Sequence, residues 1–238
     1  LENKQNIPFD RLLIATGSSA IKPPITGLNQ SPIFHMWTLD DVHQIDPLFK
    51  SGKRVLFLGS GFVSLKAASA AVSKGLDVSV YELMPRIMPL MVDDLGAELI
   101  QQKMLDSGAK LHVNTVTQKV EKQADGTLVV YAEGKQPLTV DFIIVGTGVR
   151  PNMEFLIDSS IKTDRGILVN QNMETSVPDI YAAGDVAQGP TTFEEQHQIH
   201  ALWPTAVEMG KIAGSNMSGK PVEYCGSLSM NVTELFGI

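Results

Sequence analysis

Short uninterrupted apolar runs alternate with longer segments of helical period along the chain. The runs at 55–58 and 78–81 flank an Ala-rich segment that extends to Gly75. Runs of this kind are typical of strands that are covered on both faces of a parallel sheet. One strand-to-turn pattern occurs in FDRLLIATGSS (9–19), and further strand patterns occur near 110–113, 126–132, 138–145 and 167–169. Helical patterns occur near 39–48, 93–107 and 203–217. This alternation predicts an α/β fold. Asp125-Gly126 predicts a hairpin turn between two of the later strands.

Residues 53–82 have the pattern of a complete strand–turn–helix–strand unit that binds a nucleotide. Gly59-Ser60-Gly61 lies between the first strand and the helix, and Glu82 ends the second strand. Glycines let the backbone approach a pyrophosphate, and the helix N-terminus offers free N–H groups and a positive dipole. Glu82 lies 21 residues after Gly61, which suits a carboxylate that accepts hydrogen bonds from an adenosine ribose. Ser64 occupies the third position of the motif, where Gly or Ala is usual.

Composition narrows the class of protein further. The chain has 238 residues, 43% hydrophobic content, a formal net charge of −7 and a pI near 5.2. Scattered cations and a negative net charge argue against a nucleic-acid surface. No apolar run reaches the roughly eighteen residues of a membrane span. The single cysteine, Cys225, excludes an intramolecular disulfide and suits the cytoplasm, the expected location.

Four motifs in this order resemble the pyridine nucleotide-disulfide oxidoreductases, flavoproteins with two dinucleotide-binding domains. They are FDRLLIATGS (9–18), the unit at 55–82, DFIIVGTGVRPN (141–152) and TSVPDIYAAGDVA (175–187). The stretch 201–219 is similar to NADH oxidases, rubredoxin or ferredoxin reductases and the flavin subunit of nitrite reductases. The resemblance implies FAD and NAD(H) as cofactors, with hydride passing from the nicotinamide to the flavin. A small redox protein or a small molecule is the implied acceptor, and a homodimer is the expected assembly.

The resemblance also implies a fold and a set of site residues. A Rossmann-like NAD(P)-binding domain at 35–148 is expected to be inserted into an FAD-binding domain formed by 1–34 and 149–238. The residues implied to contact FAD are Ala15, Thr16, Gly17, Asp185, Thr205 and Ala206. Asp185 would accept a hydrogen bond from the ribitol chain, and Thr205 and Ala206 would offer backbone donors at a helix N-terminus. The residues implied to contact the nicotinamide nucleotide are Gly59, Gly61, Phe62, Val63, Glu82, Gly146 and Gly148.

Departures from the family pattern lead to a second hypothesis. Lys66 stands where the family usually has a Glu beside the nicotinamide, and the reversed charge predicts slow or absent hydride transfer. No glycine-rich unit precedes residue 9, so the sequence is interpreted as a fragment that is inactive by itself and does not hold FAD stoichiometrically. The alternative function is a non-catalytic module that binds or senses NAD(H). Glu82 predicts a preference for NAD(H) over NADP(H), although Arg86, four residues on, could partly offset it.

Other reactive side chains have simpler interpretations. His197 and His200, with Glu194 and Glu195 nearby, resemble a metal pair, but a zinc site needs three or four ligands and a polar loop is favoured. Cys225 is interpreted as a small buried residue and not as a nucleophile, because no base partner is recognisable. Met84, Met88 and Met91 are interpreted as adaptable packing residues.

Overall fold

A computed structural model describes residues 6–30, 32–193, 197–228, 230 and 232–238 of the chain. The chain forms two compact units, one from Leu1–Ser19 with Arg150–Asn231 and one from Ala20–Val149 with Val232–Ile238. Residues 20–34 were expected to belong to the first segment of the flavin-binding domain. By their contacts they belong instead to the unit formed by 20–149 and 232–238. The assignment of domains to cofactors stays a prediction.

The described residues form fifteen strands and four α-helices. The strands are β1 (Leu12–Ile14), β2 (Ser18–Ala20), β3 (Ile33–His35), β4 (Arg54–Leu58), β5 (Asp77–Tyr81), β6 (Lys110–His112), β7 (Thr117–Lys122), β8 (Leu128–Ala132), β9 (Leu138–Val140), β10 (Phe142–Val145), β11 (Val149–Pro151), β12 (Ile167–Leu168), β13 (Ile180–Ala182), β14 (Ala187–Pro190) and β15 (His197–Gln198). The helices are α1 (Leu39–Ile45), α2 (Phe62–Ser73), α3 (Asp94–Asp106) and α4 (Trp203–Met217). Among the described residues, no helix is long and apolar enough to cross a membrane.

A five-stranded parallel sheet forms the centre of the unit built from 20–149 and 232–238. Its strand order is β3-β10-β4-β5-β6, and α2 connects β4 to the neighbouring strand β5. Alternate residues of each strand face opposite sides of the sheet. Val55 and Phe57 of β4 therefore belong to a core that includes α2, whereas Leu56 and Leu58 belong to a second core on the other side. Both faces are covered, which explains the uninterrupted apolar runs in the sequence.

A three-stranded antiparallel sheet, β7-β8-β9, covers the second face. The turn at Asp125-Gly126 joins β7 to β8. The prediction that it joins the strand near 110–113 to the strand near 126–132 was wrong, because β6 belongs to the parallel sheet. The intervening strand β7 was not predicted, since Val120 is its one buried residue. The run 138–145, predicted as one strand, is two strands that belong to different sheets. The chain changes sheet at Asp141, whose carboxylate accepts hydrogen bonds from the Arg54 N–H and Nε at 2.8 and 3.2 Å.

The unit built from 1–19 and 150–231 has its own smaller core. Parallel strands β1 and β13 pair with each other, and β12, β14 and β15 form a mixed three-stranded sheet. Helix α4 packs into this core through Met209, Ile212 and Ala213. The fold class predicted from the sequence is confirmed by the parallel α/β architecture and by the comparisons reported below.

Candidate functional site

Two glycine turns meet at the carboxyl ends of neighbouring strands β4 and β10. Gly59 follows β4 with a φ of +95°, and a Cβ atom there would lie 2.5 Å from the Gly146 carbonyl oxygen. A Cβ atom at Gly146 would in turn lie 1.9 Å from the Ser64 hydroxyl oxygen. Gly146 therefore makes room for Ser64, the residue that replaces the usual third glycine of the motif. Only glycine allows the backbone at these two positions to approach so closely.

The N-terminus of α2 opens next to these turns. Gly61 is the N-cap residue, no side-chain oxygen caps the helix, and the first bond within it runs from the Leu65 N–H to the Gly61 carbonyl at 3.0 Å. A Cβ atom at Gly61 would have no neighbour within 4 Å, so the backbone faces open space. Free N–H groups and the helix dipole together create a site for an anion.

Glu82 is hydrogen-bonded to the same turn. Its side chain is 7% exposed, and Oε2 accepts hydrogen bonds from the Ser60 N–H at 2.8 Å and the Ser60 hydroxyl at 2.5 Å. Oε1 accepts a third bond from the Met84 N–H at 2.8 Å. A carboxylate has about four lone-pair directions, so roughly one remains for a ligand. The sequence placed Glu82 correctly at the strand end but did not reveal that the carboxylate also fixes the turn.

A cavity of about 580 Å³ lies over these groups, within the unit formed by 20–149 and 232–238. Five residues predicted to contact the nicotinamide nucleotide line it: Gly59, Gly61, Glu82, Gly146 and Gly148. Phe62 and Val63 do not line it, and Val63 points its apolar side chain into solvent. The rest of the cavity wall is formed by residues that were not predicted from the sequence to contact a ligand, including 23–25, Ser60, Tyr81, 88–90 and 115–117.

Tyr81 lines the cavity, and its ring makes a T-shaped contact with the ring of His112, which is not part of the lining, with centroids 5.2 Å apart. Burial raises the pKa of Tyr81. Burial lowers the pKa of His112, and nearby Lys135 and Lys110 lower it further. His112 is therefore neutral at pH 7, and Tyr81 keeps its proton. This leaves Glu82 as an acidic group in a mostly apolar wall.

Three methionines after Glu82 also line the cavity. Met88 is fully buried in the helix-side core, as its interpretation as a packing residue requires. Met84 and Met91 are 46% and 52% exposed at the cavity wall, so that interpretation does not hold for them. Flexible, polarizable side chains at this position suit a flat heteroaromatic ring. Arg86 is engaged elsewhere: it forms an ion pair with Asp94 at 2.9 Å, and its guanidinium donates to backbone carbonyls of 87–89.

A second cluster of predicted residues lies in the other unit, after β1. The Thr16 hydroxyl donates to the Asn152 carbonyl at 2.9 Å, and the Asn152 amide returns a bond of the same length to the Thr16 carbonyl. The Asn152 N–H also donates to the carbonyl of Gly17, whose φ is +66°. Ala15 and Thr16 are exposed next to this junction. Asn152 was not predicted as a site residue, although it ends the quoted motif VRPN.

Asp185 and the start of α4 come together in the same unit. Within the described residues, the Asp185 carboxylate accepts a hydrogen bond from the Ser18 hydroxyl at 2.7 Å. A Cβ atom at neighbouring Gly184 would lie 3.5 Å from the Ala206 side chain, so Asp185 lies beside the first turn of α4. Pro204 is the second residue of this helix, and no side chain caps the helix N-terminus. The Ala206 N–H donates to the Leu202 carbonyl, so the prediction that it is a free donor was wrong. The N–H of the buried Thr205 is the remaining candidate donor at this helix N-terminus.

Comparison with known proteins decides the family. The family model described as pyridine nucleotide-disulphide oxidoreductase matches residues 1–210. The chain belongs to this family. A relative in Aromatoleum evansii, the epsilon subunit of an NADH-dependent phenylglyoxylate dehydrogenase, is 30% identical over all of the chain and 56% of its own length. An NADH oxidase of Methanocaldococcus jannaschii is 30% identical over 98% of the chain and 52% of its own length. The chain thus spans about half the length of these curated relatives.

Solved structures show the same family fold. The water-forming NADH oxidase of Lactobacillus brevis, bound to NADH, matches with a TM-score of 0.89 and 27% identity, over 95% of this chain and 50% of that one. An engineered variant of that oxidase, bound to NADPH, matches with the same TM-score, identity and coverage. These structures confirm the fold that the sequence motifs predicted.

The residues present suit the two cofactors that this family uses. On the nicotinamide nucleotide side, the space beside Gly61 and the uncapped α2 fit a pyrophosphate. In the unit that contains Asp185 and α4, His200 is 7% exposed and neither of its ring nitrogens has a hydrogen-bond partner within the described part of the chain. Burial lowers the pKa of His200, so the ring is neutral at pH 7 and offers one donor and one acceptor.

Lys66 does not line the cavity, in contrast to the position expected from the family pattern. Its ammonium donates to the Glu234 carbonyl at 2.8 Å, on an exposed part of α2. The segment 232–238 is held to this helix by Leu235, which is buried in the core, and by the Phe236 N–H, which donates to the Ser69 hydroxyl. The lysine therefore has a structural partner in the described chain.

The remaining candidates have no site around them in the described residues. No group of three or more His, Cys, Asp or Glu side chains within the described ranges could hold a metal ion. Glu194 and Glu195 lie outside the described residues. Cys225 is exposed, so its interpretation as a buried residue was wrong.

Proposed function

We propose that the chain is the coenzyme-binding part of an FAD-dependent NAD(P)H oxidoreductase, with part of its flavin-binding domain. The observation that carries the proposal is the cavity in which the Gly59–Gly61 turn, the open N-terminus of α2 and Glu82 converge. Each group matches one part of a dinucleotide. The second cluster, around Asp185 and the start of α4, supplies polar groups suited to the flavin.

In this proposal, the cavity residues bind and orient the coenzyme. The amides at the start of α2 hold the pyrophosphate, and the free lone pair of Glu82 accepts a hydrogen bond from the adenosine ribose. The apolar wall formed by Met84, Leu90 and Met91 covers the adenine and excludes water from it. Binding energy from these remote groups would hold the nicotinamide in position for hydride transfer.

The preference for NADH over NADPH is also proposed, and two observations support it. The Glu82 carboxylate would repel a 2′-phosphate, and Arg86 is occupied by Asp94 and backbone carbonyls. The engineered NADPH-bound oxidase carries five substitutions, the first of which replaces a Gly with Ala. Counted from that Gly, Asp is replaced by Ala at 18 residues, Ala by Arg at 19, Met by Ser at 20 and Pro by Arg at 25. The residues at the same intervals here are Ser64, Glu82, Leu83, Met84 and Pro89. At these positions this chain has an acid, a Met and a Pro, which are the residue types of the NADH oxidase before substitution. It has neither of the two arginines of the engineered NADPH-bound variant.

On the flavin side, Asp185 and Thr205 are the proposed contacts. Bound FAD would accept a hydride from the nicotinamide and pass the electrons on to an acceptor. Asp185 has lone pairs left for a ribitol hydroxyl, because the Ser18 hydroxyl uses one of them. The positive end of the α4 dipole, with the Thr205 amide, would stabilise negative charge on a reduced ring.

The electron acceptor is proposed only by class. Relatives named NADH oxidase and NADH-rubredoxin oxidoreductase point to a small molecule or to a small redox protein. A homodimer in the cytoplasm is also proposed.

Anaerobic titration of the full-length protein tests this function. NADH should bleach the flavin absorbance stoichiometrically, and NADPH should need a higher concentration. Binding of NADH without flavin reduction would instead support the alternative, a module that senses NAD(H). Tighter binding of NADPH than of NADH would contradict the proposed coenzyme preference.

A further inference from the structure

The Ser60 hydroxyl lies at the junction of the three segments that form the ribose end of the cavity. Ser60 is 1% exposed. Its hydroxyl donates to Glu82 Oε2 at 2.5 Å and accepts a hydrogen bond from the Met88 N–H at 3.4 Å. Its own N–H donates to the same carboxylate oxygen at 2.8 Å. One side chain therefore links the glycine turn, the acid at the end of β5 and the loop that follows it.

The hydroxyl decides which oxygen of Glu82 is left for a ligand. Together with the Ser60 N–H it occupies both lone-pair directions of Oε2. Oε1 receives one bond, from Met84, and keeps one direction open. A carboxylate held at both oxygens does not rotate freely. Without the hydroxyl, Oε2 would regain a free lone pair that competes with Oε1 for the ligand, and only the two backbone N–H bonds would hold the carboxylate.

The second bond of the hydroxyl fixes the loop. Met88 has a φ of +47°, which is unusual for a residue with a side chain, yet the residue is fully buried. Its N–H bond to Ser60 lies in the middle of the loop that places Met84, Leu90 and Met91 on the cavity wall. The acid and the apolar wall are thus positioned by the same hydroxyl group.

We propose that Ser60 is a positioning residue for coenzyme discrimination, acting through Glu82 and the loop 83–91. Its hydroxyl directs one carboxylate oxygen to the ribose diol and holds the loop where a 2′-phosphate would have to fit. The inference rests on the proposed function, because it requires a nicotinamide nucleotide in this cavity. It adds a determinant that the motif does not contain, since the middle residue of the turn is not one of its glycines.

The test compares Ser60→Ala with wild-type full-length protein by calorimetric titration with NADH and with NADPH. Loss of the hydroxyl should weaken NADH binding roughly tenfold and NADPH binding much less, because hydrogen bonds to a charged acceptor are strong. The matched control is Ser73→Ala on α2, whose hydroxyl donates to the Ala70 carbonyl away from the cavity. This control should leave both affinities unchanged.

A graded variant separates positioning from a general structural role. Ser60→Cys keeps a weaker donor at this position, so its preference for NADH over NADPH should lie between those of the wild type and Ser60→Ala. Equal weakening of NADH and NADPH in both variants would overturn the inference while leaving the proposed function intact. A wild-type protein that binds neither nucleotide would overturn both. If Ser60→Ala does not fold, Ser60→Cys, with a weaker donor, provides the same comparison.

Discussion

Glu82→Gln is the substitution that most directly tests the dual role of this side chain. It preserves the shape of the side chain but replaces one carboxylate oxygen with an NH₂ group. Oε2 accepts bonds from Ser60 and Oε1 accepts one from the Met84 N–H. In either orientation, the new NH₂ group therefore faces a backbone N–H that needs an acceptor. An isosteric change should destabilise the fold even before any nucleotide binds.

The magnitude depends on which N–H group loses its acceptor. Ser60 is 1% exposed and its bonds to Glu82 are buried, whereas Met84 is 46% exposed and its bond to Glu82 is only partly buried. We expect the Gln oxygen to stay on Ser60 and the NH₂ group to face Met84. An unsatisfied buried donor costs about 1–3 kcal/mol, and partial access to water places this case at about 1–2 kcal/mol. Glu82→Ala removes every acceptor and should cost about 3 kcal/mol or more.

Urea denaturation of the full chain without nucleotide measures this difference, and thermal unfolding should show a shift of roughly 2–8 °C for Glu82→Gln. The control is Glu98→Gln on α3, an exposed glutamate that should change stability by less than about 0.5 kcal/mol. The reasoning is refuted if Glu82→Gln matches the control. It is also refuted if Gln and Ala cost the same, because the retained oxygen would then be worth nothing.

Three further predictions follow from contacts elsewhere in the chain. Gly146→Ala should lower the free energy of unfolding by about 1–3 kcal/mol, because the new Cβ overlaps the Ser64 hydroxyl. In a double-mutant cycle, Ser64→Ala should restore much of that free energy, and additive effects of the two substitutions would contradict the prediction. Burial raises the pKa of Asp141, but the hydrogen bonds and charge of Arg54 lower it by more, so the net pKa lies below the ordinary value of 3.8. The charged carboxylate therefore stabilises the fold above pH 3.8, and this stabilisation is lost as the pH falls through the pKa of the folded state. Asp141→Asn should therefore destabilise the protein at pH 7, with a difference from wild type that shrinks in urea melts below pH 3.8; a constant difference would count against this origin. Because the Lys66 ammonium bonds to the Glu234 carbonyl and does not line the cavity, Lys66→Gln should leave the rate of flavin reduction in stopped flow unchanged. A faster rate in Lys66→Gln and Lys66→Glu would show that the charge acts on hydride transfer.

The parallel sheet and its glycine turns were predictable because their signals are local. Uninterrupted apolar runs require cover on both faces, and Gly59 and Gly61 mark a turn that side chains would block. The strand β7 was not predictable in the same way. It has the polar sequence TQKVEK with one buried residue, Val120, and depends on pairing with β8. Its pattern alone does not distinguish it from a loop.

The cavity wall could be predicted only in part, because half of it depends on contacts between distant segments. The acid at the end of β5 follows from motif spacing, whereas residues 23–25 and 115–117 reach the cavity through the arrangement of the two sheets. The partner of Lys66 is also remote: Glu234 lies 168 residues further along the chain. A sequence pattern carries no signal for a side chain that bonds to a distant carbonyl.

Under the proposed function, the bonds of Glu82 couple coenzyme choice to stability. An exchange of the acid for a small residue, as in the engineered NADPH-bound oxidase, would remove repulsion of a 2′-phosphate. Here the same exchange would also remove the acceptor for the buried Ser60 N–H and hydroxyl. A change of coenzyme preference at this site therefore requires a second acceptor for the turn, or a reserve of stability larger than the lost bonds. Because folded domains have only about 5–15 kcal/mol in total, a loss of about 3 kcal/mol is a large fraction of that reserve.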